Sequence, residues 1–251
     1  MIRVRMAASP FLVIAHRGAS SYGPENTLAA FDLALQMGAR HIELDVQSTR
    51  DGRIVVIHDD TVDRTTDGTG PVASHALAEL RLLDAGARFA PAFAGERIPL
   101  FEEVLARYQG RAHIHVEIKG HTNGLSERTA DLIRAHGMAR EVTVTSFQKA
   151  RLKETRAHAP EFPTGWLVRD ATDTVIAEAR AMGLTQLCPR ADALNPELVD
   201  RLHAAGLVVR AWGVATGELM RRVVEAGADG MTVNFPDKLI AFLDSRHHPW
   251  V

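Results

Sequence analysis

Short apolar runs alternate with amphipathic stretches along nearly the whole chain, and this alternation limits the folds open to it. The runs fall near 11–15, 40–46, 54–58, 112–117, 142–146, 163–168, 185–189, 207–213 and 229–233. Between most of them, over 26–37, 101–108, 124–136, 148–158, 172–182, 195–205, 216–226 and 237–244, the pattern is helical. In 26–37, for example, Leu28, Phe31 and Leu35 share one face. Asn26 is expected to cap that helix or, with Glu25, to orient the loop before it, and Gly38 to stop it, while Asn195, Pro196 and Gly206 mark the ends of a later one. Repeated strand–helix units imply a parallel sheet, whose strands, covered on both faces, read as apolar runs. About eight such units in 251 residues predict a single α/β domain over 1–251, a closed (β/α)8 TIM barrel.

Residues 59–100 break the rhythm. They hold scattered apolar groups, several glycines and prolines, and no long amphipathic helix. A connection this long is usually functional or disordered. It is expected to be a small insertion after the second strand region, folding over one side of the barrel mouth and shaping a pocket there. A plain surface loop is the alternative.

Several function classes are disfavoured by composition. With 46% hydrophobic and 24% charged residues and a formal net charge of -2, the chain has no basic excess for nucleic acid or an anionic membrane surface. The opening MIRVRMAASPFLVIAHRG resembles a secretion signal loosely, but Pro10 interrupts it and its apolar run leads straight into His16. It is read as the lead into the first strand, and no stretch is long and apolar enough to span a bilayer. No stable membrane association is expected. The single cysteine, Cys188, cannot form an intramolecular disulfide, which suits a reducing, cytoplasmic setting, and its place before Pro189 suggests a buried structural thiol. The tail His247-His248-Pro249-Trp250 is expected to be a frayed end. There is no glycine-rich nucleotide loop and no serine-hydrolase elbow. Homodimerisation is left open.

The chemistry concentrates between His16 and Asp59. Three apolar runs there meet ionisable clusters: LVIA runs into His16-Arg17, Glu43 and Asp45 alternate with Ile42 and Leu44, and Ile54–Ile57 runs into His58-Asp59. Charges in such places need partners, because burying one alone is costly. Glu43 and Asp45, two apart on a strand, point to one side. Two unpaired carboxylates so close would repel, and a divalent cation removes the conflict. Glu117, closing the run HIHVEIK, offers a third oxygen. An all-oxygen set suits Mg2+ or Ca2+ better than zinc. The bland alternative is an ion-pair network with Arg17 and Lys119. The three carboxylates, one divalent ion, Arg17 and Lys119 leave a net charge of one positive unit, matching a phosphodiester's single negative charge. Arg17 can present a fork to phosphate oxygens and Lys119 a point charge. His16 and His58 are candidate acid–base catalysts, since one can take a proton while the other gives one. Phe147 could wall the pocket. His41 opens its strand, far from Asp45, and reads as structural; His115 should point inward but deeper than Glu117.

These motifs resemble the glycerophosphodiester phosphodiesterase family, whose pattern of His-Arg, Glu-x-Asp and His-Asp stands here as His16-Arg17, Glu43-Leu44-Asp45 and His58-Asp59. Gly18, Pro24-Glu25-Asn26-Thr27, Asp51-Gly52, Arg64-Thr65-Thr66, Glu117-Ile118-Lys119 and the closing GADGMTVNFPDKL also fit, so the resemblance covers nearly the whole chain. It implies a barrel with a small insertion after His58. It also implies metal-dependent hydrolysis of glycerophosphodiesters to glycerol 3-phosphate and an alcohol, by two histidines. Trp212 matches an aromatic that packs near the glycerol moiety. The family's usual Trp-Thr-Val-Asn is Trp212-Gly213-Val214-Ala215 here, which puts fine substrate preference in doubt. A lysophospholipid-specific phosphodiesterase would need an apolar groove, from 86–99 with Phe89 and Phe93. A phosphoinositide-type phospholipase fits the motifs less well. An inert phosphodiester-binding barrel should have lost one of His16, His58, Glu43, Asp45 or Glu117, and all five are present.

Overall fold

All nine apolar runs become strands, and eight of them close into one parallel barrel. The structure, a computed structural model, describes residues 11–247; the lead segment 1–10 and most of the tail lie outside the described residues. In chain order the elements are β1 (Leu12–His16), α1 (Leu28–Gln36), β2 (His41–Ser48), β3 (Ile54–Val56), α2 (Leu77–Leu80), α3 (Phe101–Tyr108), β4 (His113–Ile118), α4 (Leu125–Ala135), β5 (Val142–Ser146), α5 (Lys149–His158), β6 (Thr164–Val168), α6 (Asp173–Ala181), β7 (Gln186–Pro189), α7 (Pro196–Ala204), β8 (Val208–Val214), α8 (Gly217–Glu225), β9 (Gly230–Val233) and α9 (Pro236–His247). The barrel closes because β1 pairs with both β2 and β9. The fold is therefore the (β/α)8 TIM barrel that the alternation predicts.

The barrel strands differ from uniformly apolar ones in an informative way. Ile42, Leu44 and Val46 of β2, Ile114, Val116 and Ile118 of β4 and Val142 and Val144 of β5 pack outward in one apolar cluster with Phe31, Phe101 and Tyr108. Leu187, Val209, Ala211, Met231 and Val233 do the same on the other side, with Leu202 and Leu239. The alternate positions face the barrel axis and are polar: Glu43, Asp45, His115, Glu117, Thr143, Thr145, Arg210 and Thr232 are all buried. A barrel interior is normally a packed apolar core; here polar chemistry occupies it, so β2 and β4 read as alternating.

Two local expectations are corrected. The run 54–58 is not a barrel strand: β3 lies antiparallel to β2, with Val46 opposite Val56 and Ser48 opposite Ile54. Its outward residues Val55 and Ile57 pack with Val62, Val72, Leu80, Ala85 and Ile98 in a small separate core, which is how segment 59–100 is held with only one four-residue helix and two short 3-10 turns. Nor does Asn26 cap α1. Thr27 does, accepting from Ala30 N. Asn26 instead sits at φ 59° and turns its amide into the barrel. Asn195 caps α7 as expected, with Pro196 in its first turn.

The loop after β1 presses closely on α1. Gly18 has φ +82°, and a Cβ there would lie 2.5 Å from the Ala30 carbonyl carbon. Gly52, also at positive φ (+78°), would meet nothing within 4 Å. Gly52→Ala should therefore cost only about 1 kcal/mol of backbone strain, whereas Gly18→Ala should cost at least about 3 kcal/mol from clash and strain together. Denaturant unfolding of the two variants measures the difference, and equal losses would contradict the close approach.

Candidate active site

Glu43 and Asp45 on β2 and Glu117 on β4 meet because the β2–β4 register sets Asp45 opposite Glu117. One oxygen from each lies within 4.8 Å of the others, and all three side chains are buried. Burial, and then the charges of Asp45 and Glu117, hold the Glu43 carboxyl well above the usual carboxylate range. Burial, and then Asp45, push Glu117 up to about 7. Asp45 receives both of its side-chain partners on Oδ2, from Asn26 Nδ2 at 2.9 Å and the Arg17 Nε at 3.2 Å. Its Oδ1 is buried without a hydrogen-bond partner among the described residues. Three crowded carboxyls and an orphaned carboxylate oxygen fit a hard divalent cation, whose charge would offset the repulsion and whose ligand shell would take that oxygen.

The loop after β1 wraps the cluster. Arg17 is held at φ 54°, a left-handed conformation that a non-glycine residue adopts at a cost. There its backbone N–H donates to Glu43 Oε2 at 2.9 Å, and its guanidinium reaches Glu25 at 2.8 Å as well as Asp45. Lys119 stands two residues beyond Glu117 on the same face, with Nζ 3.0 Å from Glu117 Oε1. The ion-pair network weighed as the bland alternative is thus present in part, yet it leaves Asp45 Oδ1 unanswered.

The two histidines line one cavity of about 300 Å3, together with Arg17, Glu43, Glu117, Lys119, Phe147 and Trp212. His16 ends β1, and its Nδ1 is 2.6 Å from Asn234 Oδ1, just beyond β9. That oxygen can only accept, so the proton sits on Nδ1 and Nε2 keeps its lone pair. Burial, and then the neighbouring Arg17 cation, lower the His16 imidazole to about 4. His58 reaches the cavity from the β2–β3 hairpin rather than from a barrel strand. Gln47 fixes that hairpin by donating to the carbonyls of both His58 and Asp59. His58 Nδ1 lies 2.6 Å from Asp59 Oδ1. Arg64 then bridges Asp59 to Glu25. Its hydrogen bonds lower Asp59 to about 2. They also bring Glu25 to about 2, with Arg17 assisting against the opposing effect of burial. An unbroken chain of hydrogen bonds and ion pairs thus runs His58–Asp59–Arg64–Glu25–Arg17.

The aromatic residues form the cavity's other wall. Trp212 donates its indole N–H to Val168 O at 3.0 Å and meets Phe147 edge to face, ring centroids 4.9 Å apart. Lys119 Nζ lies 5.5 Å from the Phe147 ring centroid. Gly213, Val214 and Ala215 also line the cavity, so the departure from Trp-Thr-Val-Asn falls on its wall. Segment 59–100 gives Asp59 and Asp60 to an adjoining recess with His58 and Lys119, not to the main cavity. Phe89 packs edge to face on Phe93 and borders a separate recess with Arg64 and Arg88. Neither Phe89 nor Phe93, the residues named for a lysophospholipid groove, lines the cavity that holds the two histidines. Cys188 is fully buried and free, and burial raises its thiol pKa, as suits an inert residue.

Sequence reasoning missed Asn234, Gln47 and Arg210. Asn234 sits in the closing motif, and its only signal was a polar residue just past a strand end, level with His16. Gln47 has the inward parity of Glu43 and Asp45. Arg210, at 1% exposure the largest fully buried side chain, follows the same parity from Trp212 and forms part of the cavity floor.

Known proteins resemble this chain in sequence and in fold. The sequence pattern of the Glycerophosphoryl diester phosphodiesterase family matches residues 16–238. A glycerophosphodiester phosphodiesterase from Caldanaerobacter subterraneus is 40% identical over 91% of this chain and 96% of its own. One from Bacillus subtilis is 34% identical over 90% of this chain and 84% of its own. Among solved structures, a phosphodiesterase from Oleispira antarctica in complex with the product sn-glycerol-3-phosphate superposes with a TM-score of 0.86 at 30% identity, covering 92% of this chain and 96% of that one. A glycerophosphodiester phosphodiesterase from Agrobacterium tumefaciens gives 0.81 at 32% identity, over 91% and 98%. On this evidence the chain belongs to the glycerophosphoryl diester phosphodiesterase family and is a hydrolase of phosphoric diesters.

Proposed function

We propose that this barrel hydrolyses small glycerophosphodiesters to glycerol 3-phosphate and an alcohol such as choline, ethanolamine or glycerol. The observation that carries the proposal is the shared cavity. It brings two histidines with different partners, two cations and two of the three clustered carboxylates, Glu43 and Glu117, around a space of about 300 Å3. That space is of the size that holds a small ligand.

Glu43, Asp45 and Glu117 would hold one Mg2+ or Ca2+. Such an ion, when bound, polarises a phosphoryl oxygen and lowers the pKa of a coordinated hydroxyl. Arg17 and Lys119 bind the phosphate's remaining oxygens. With the ion they leave one positive unit against the diester's single negative one. His16, neutral and with Nε2 free, accepts the proton of the attacking hydroxyl, which is either water or the substrate's own glycerol hydroxyl. His58, its ring oriented by the contact between Nδ1 and Asp59, is the acid whose Nε2 protonates the leaving alkoxide. Trp212 and Phe147 pack against the glycerol moiety. Segment 59–100, tied through Arg64 to Glu25, shapes the rim next to His58. A lone buried thiol supports a cytoplasmic setting, and among the described residues no helix is long and apolar enough to cross a membrane.

The direct test is release of glycerol 3-phosphate from glycerophosphocholine by chelated protein, before and after Mg2+ or Ca2+ is restored. Metal-dependent release is expected; no release from glycerophosphocholine, glycerophosphoethanolamine or glycerophosphoglycerol with either ion would overturn the proposal. His16→Ala and His58→Ala should each lower kcat by about 10²–10⁴-fold with melting temperature unchanged, and near-normal turnover in either would remove that residue from acid–base duty.

Glu43 and Glu117 also predict a pH signature. In the fold both carboxyls titrate above the ordinary 4.5 of a glutamate in an unfolded chain, Glu117 at about 7. Without metal they favour the fold below about pH 4.5 and lose that contribution as pH rises through 7. A cation opposes the loss, so the rise in melting temperature on adding Mg2+ or Ca2+ should be larger at pH 7.5 than at pH 5. An equal rise at both would contradict binding at these carboxylates.

A further inference from the structure

A second group of ligating side chains sits at the opposite end of the barrel, where the hydrolysis proposed above has no use for it. His41 opens β2, and His113 and His115 are the first and third residues of β4. The register sets His41 opposite His113, and all three share the inward parity of Glu43 and Glu117. One ring nitrogen from each lies within 4.8 Å of the others. The three rings are 5.0, 5.1 and 5.5 Å apart between centroids.

The spacing is close to that of a metal tripod. Zinc–nitrogen bonds of ~2.0–2.1 Å in a tetrahedral site hold neighbouring donors about 3.3–3.4 Å apart. His41 Nδ1 and His115 Nε2 are already 3.2 Å apart. His113 Nε2 is bonded to Thr143 Oγ1 at 2.8 Å, a neutral partner it can exchange for an ion by a small ring movement. Burial, and then His41, lower His113 to about 4, so its lone pair is available at neutral pH. His41 and His115 share one bond, through His115 Nε2, and His115 Nδ1 is buried with no partner among the described residues, so the trio is only partly satisfied by hydrogen bonds of its own. His41 and His113 are only partly buried, which leaves a way in from the barrel's closed end.

The donor chemistry selects the kind of ion. Three imidazole nitrogens, with the Thr143 hydroxyl beside them, offer no carboxylate, so the set suits Mg2+ or Ca2+ poorly. Zn2+, Ni2+ and Cu2+ bond imidazole strongly enough to bind there. We propose that His41, His113 and His115 form a second metal site, distinct from the carboxylate cluster, that takes a late first-row divalent ion such as Zn2+ and ties β2 to β4 at the closed end of the barrel.

The test uses the full chain without an affinity tag, stripped with chelator and then titrated with Zn2+ against a chromophoric chelator and separately with Co2+. Glu43→Gln disables the carboxylate cluster, and His247→Ala with His248→Ala removes the terminal pair. In that background one equivalent of Zn2+ should still bind, and Co2+ should give the intense visible absorption of a tetrahedral site. His41→Asn, His113→Asn and His115→Gln should each weaken Zn2+ binding by at least about tenfold, and Zn2+ should raise the melting temperature of the background chain but not of these variants. His41 and His113 are the less buried pair, so their replacement tests the site even if the His115 variant does not fold. Absence of Zn2+ binding in the background chain, or affinity unchanged by His41→Asn and His113→Asn, would overturn the proposal and leave the trio a hydrogen-bonded plug.

Discussion

Three carboxylates buried within one small volume are the feature on which the rest of the site depends. In a medium of low dielectric their mutual repulsion and desolvation would be severe if all were ionised without compensation. Each neighbouring structure answers part of that cost. Arg17 spends backbone strain at φ 54° to place both its amide N–H and its guanidinium on the cluster. Asn26 gives up the helix cap to Thr27 and bonds Asp45 through both its amide nitrogen and its amide oxygen. Lys119 reaches back to Glu117. The Asp45 oxygen that stays unanswered is the place where the protein alone is incomplete and a cation fits.

The same logic separates the two ends of the barrel. At the mouth the inward positions carry oxygen donors, and the two histidines differ in what holds their Nδ1: an amide oxygen for His16, a carboxylate for His58. In the proposed hydrolysis that asymmetry assigns proton acceptance to His16 and proton donation to His58. At the closed end the inward positions carry imidazoles beside a buried arginine. One polar column along β2 and one along β4 thus present hard donors at the top and nitrogen donors at the bottom, and strand parity alone puts them there.

Much of this was legible in the sequence. The strand and helix boundaries followed from apolar periodicity, and Glu43, Asp45, Glu117 and Lys119 came together because residues two apart share a face. The third apolar run misled because four apolar residues look alike in a parallel barrel strand and in a short antiparallel hairpin whose outer face is covered by an insertion. Asn26 stood between two roles, because its sequence context, Pro-Glu-Asn-Thr before an apolar face, serves a cap equally well at either position; only the long-range bond to Asp45 decides between Asn26 and Thr27. Asn234, Arg64 and Arg210 act through partners up to 218 residues away, as for Asn234 with His16, and no local pattern encodes such pairs.

The account turns on a single cation shared by Glu43, Asp45 and Glu117. Anomalous scattering from crystals soaked in Mn2+, a stand-in for Mg2+, locates such an ion directly. A peak bonded to one oxygen of each of the three, Asp45 Oδ1 among them, is the predicted result. A peak elsewhere with those carboxylates bare, or none at saturating Mn2+, would contradict it.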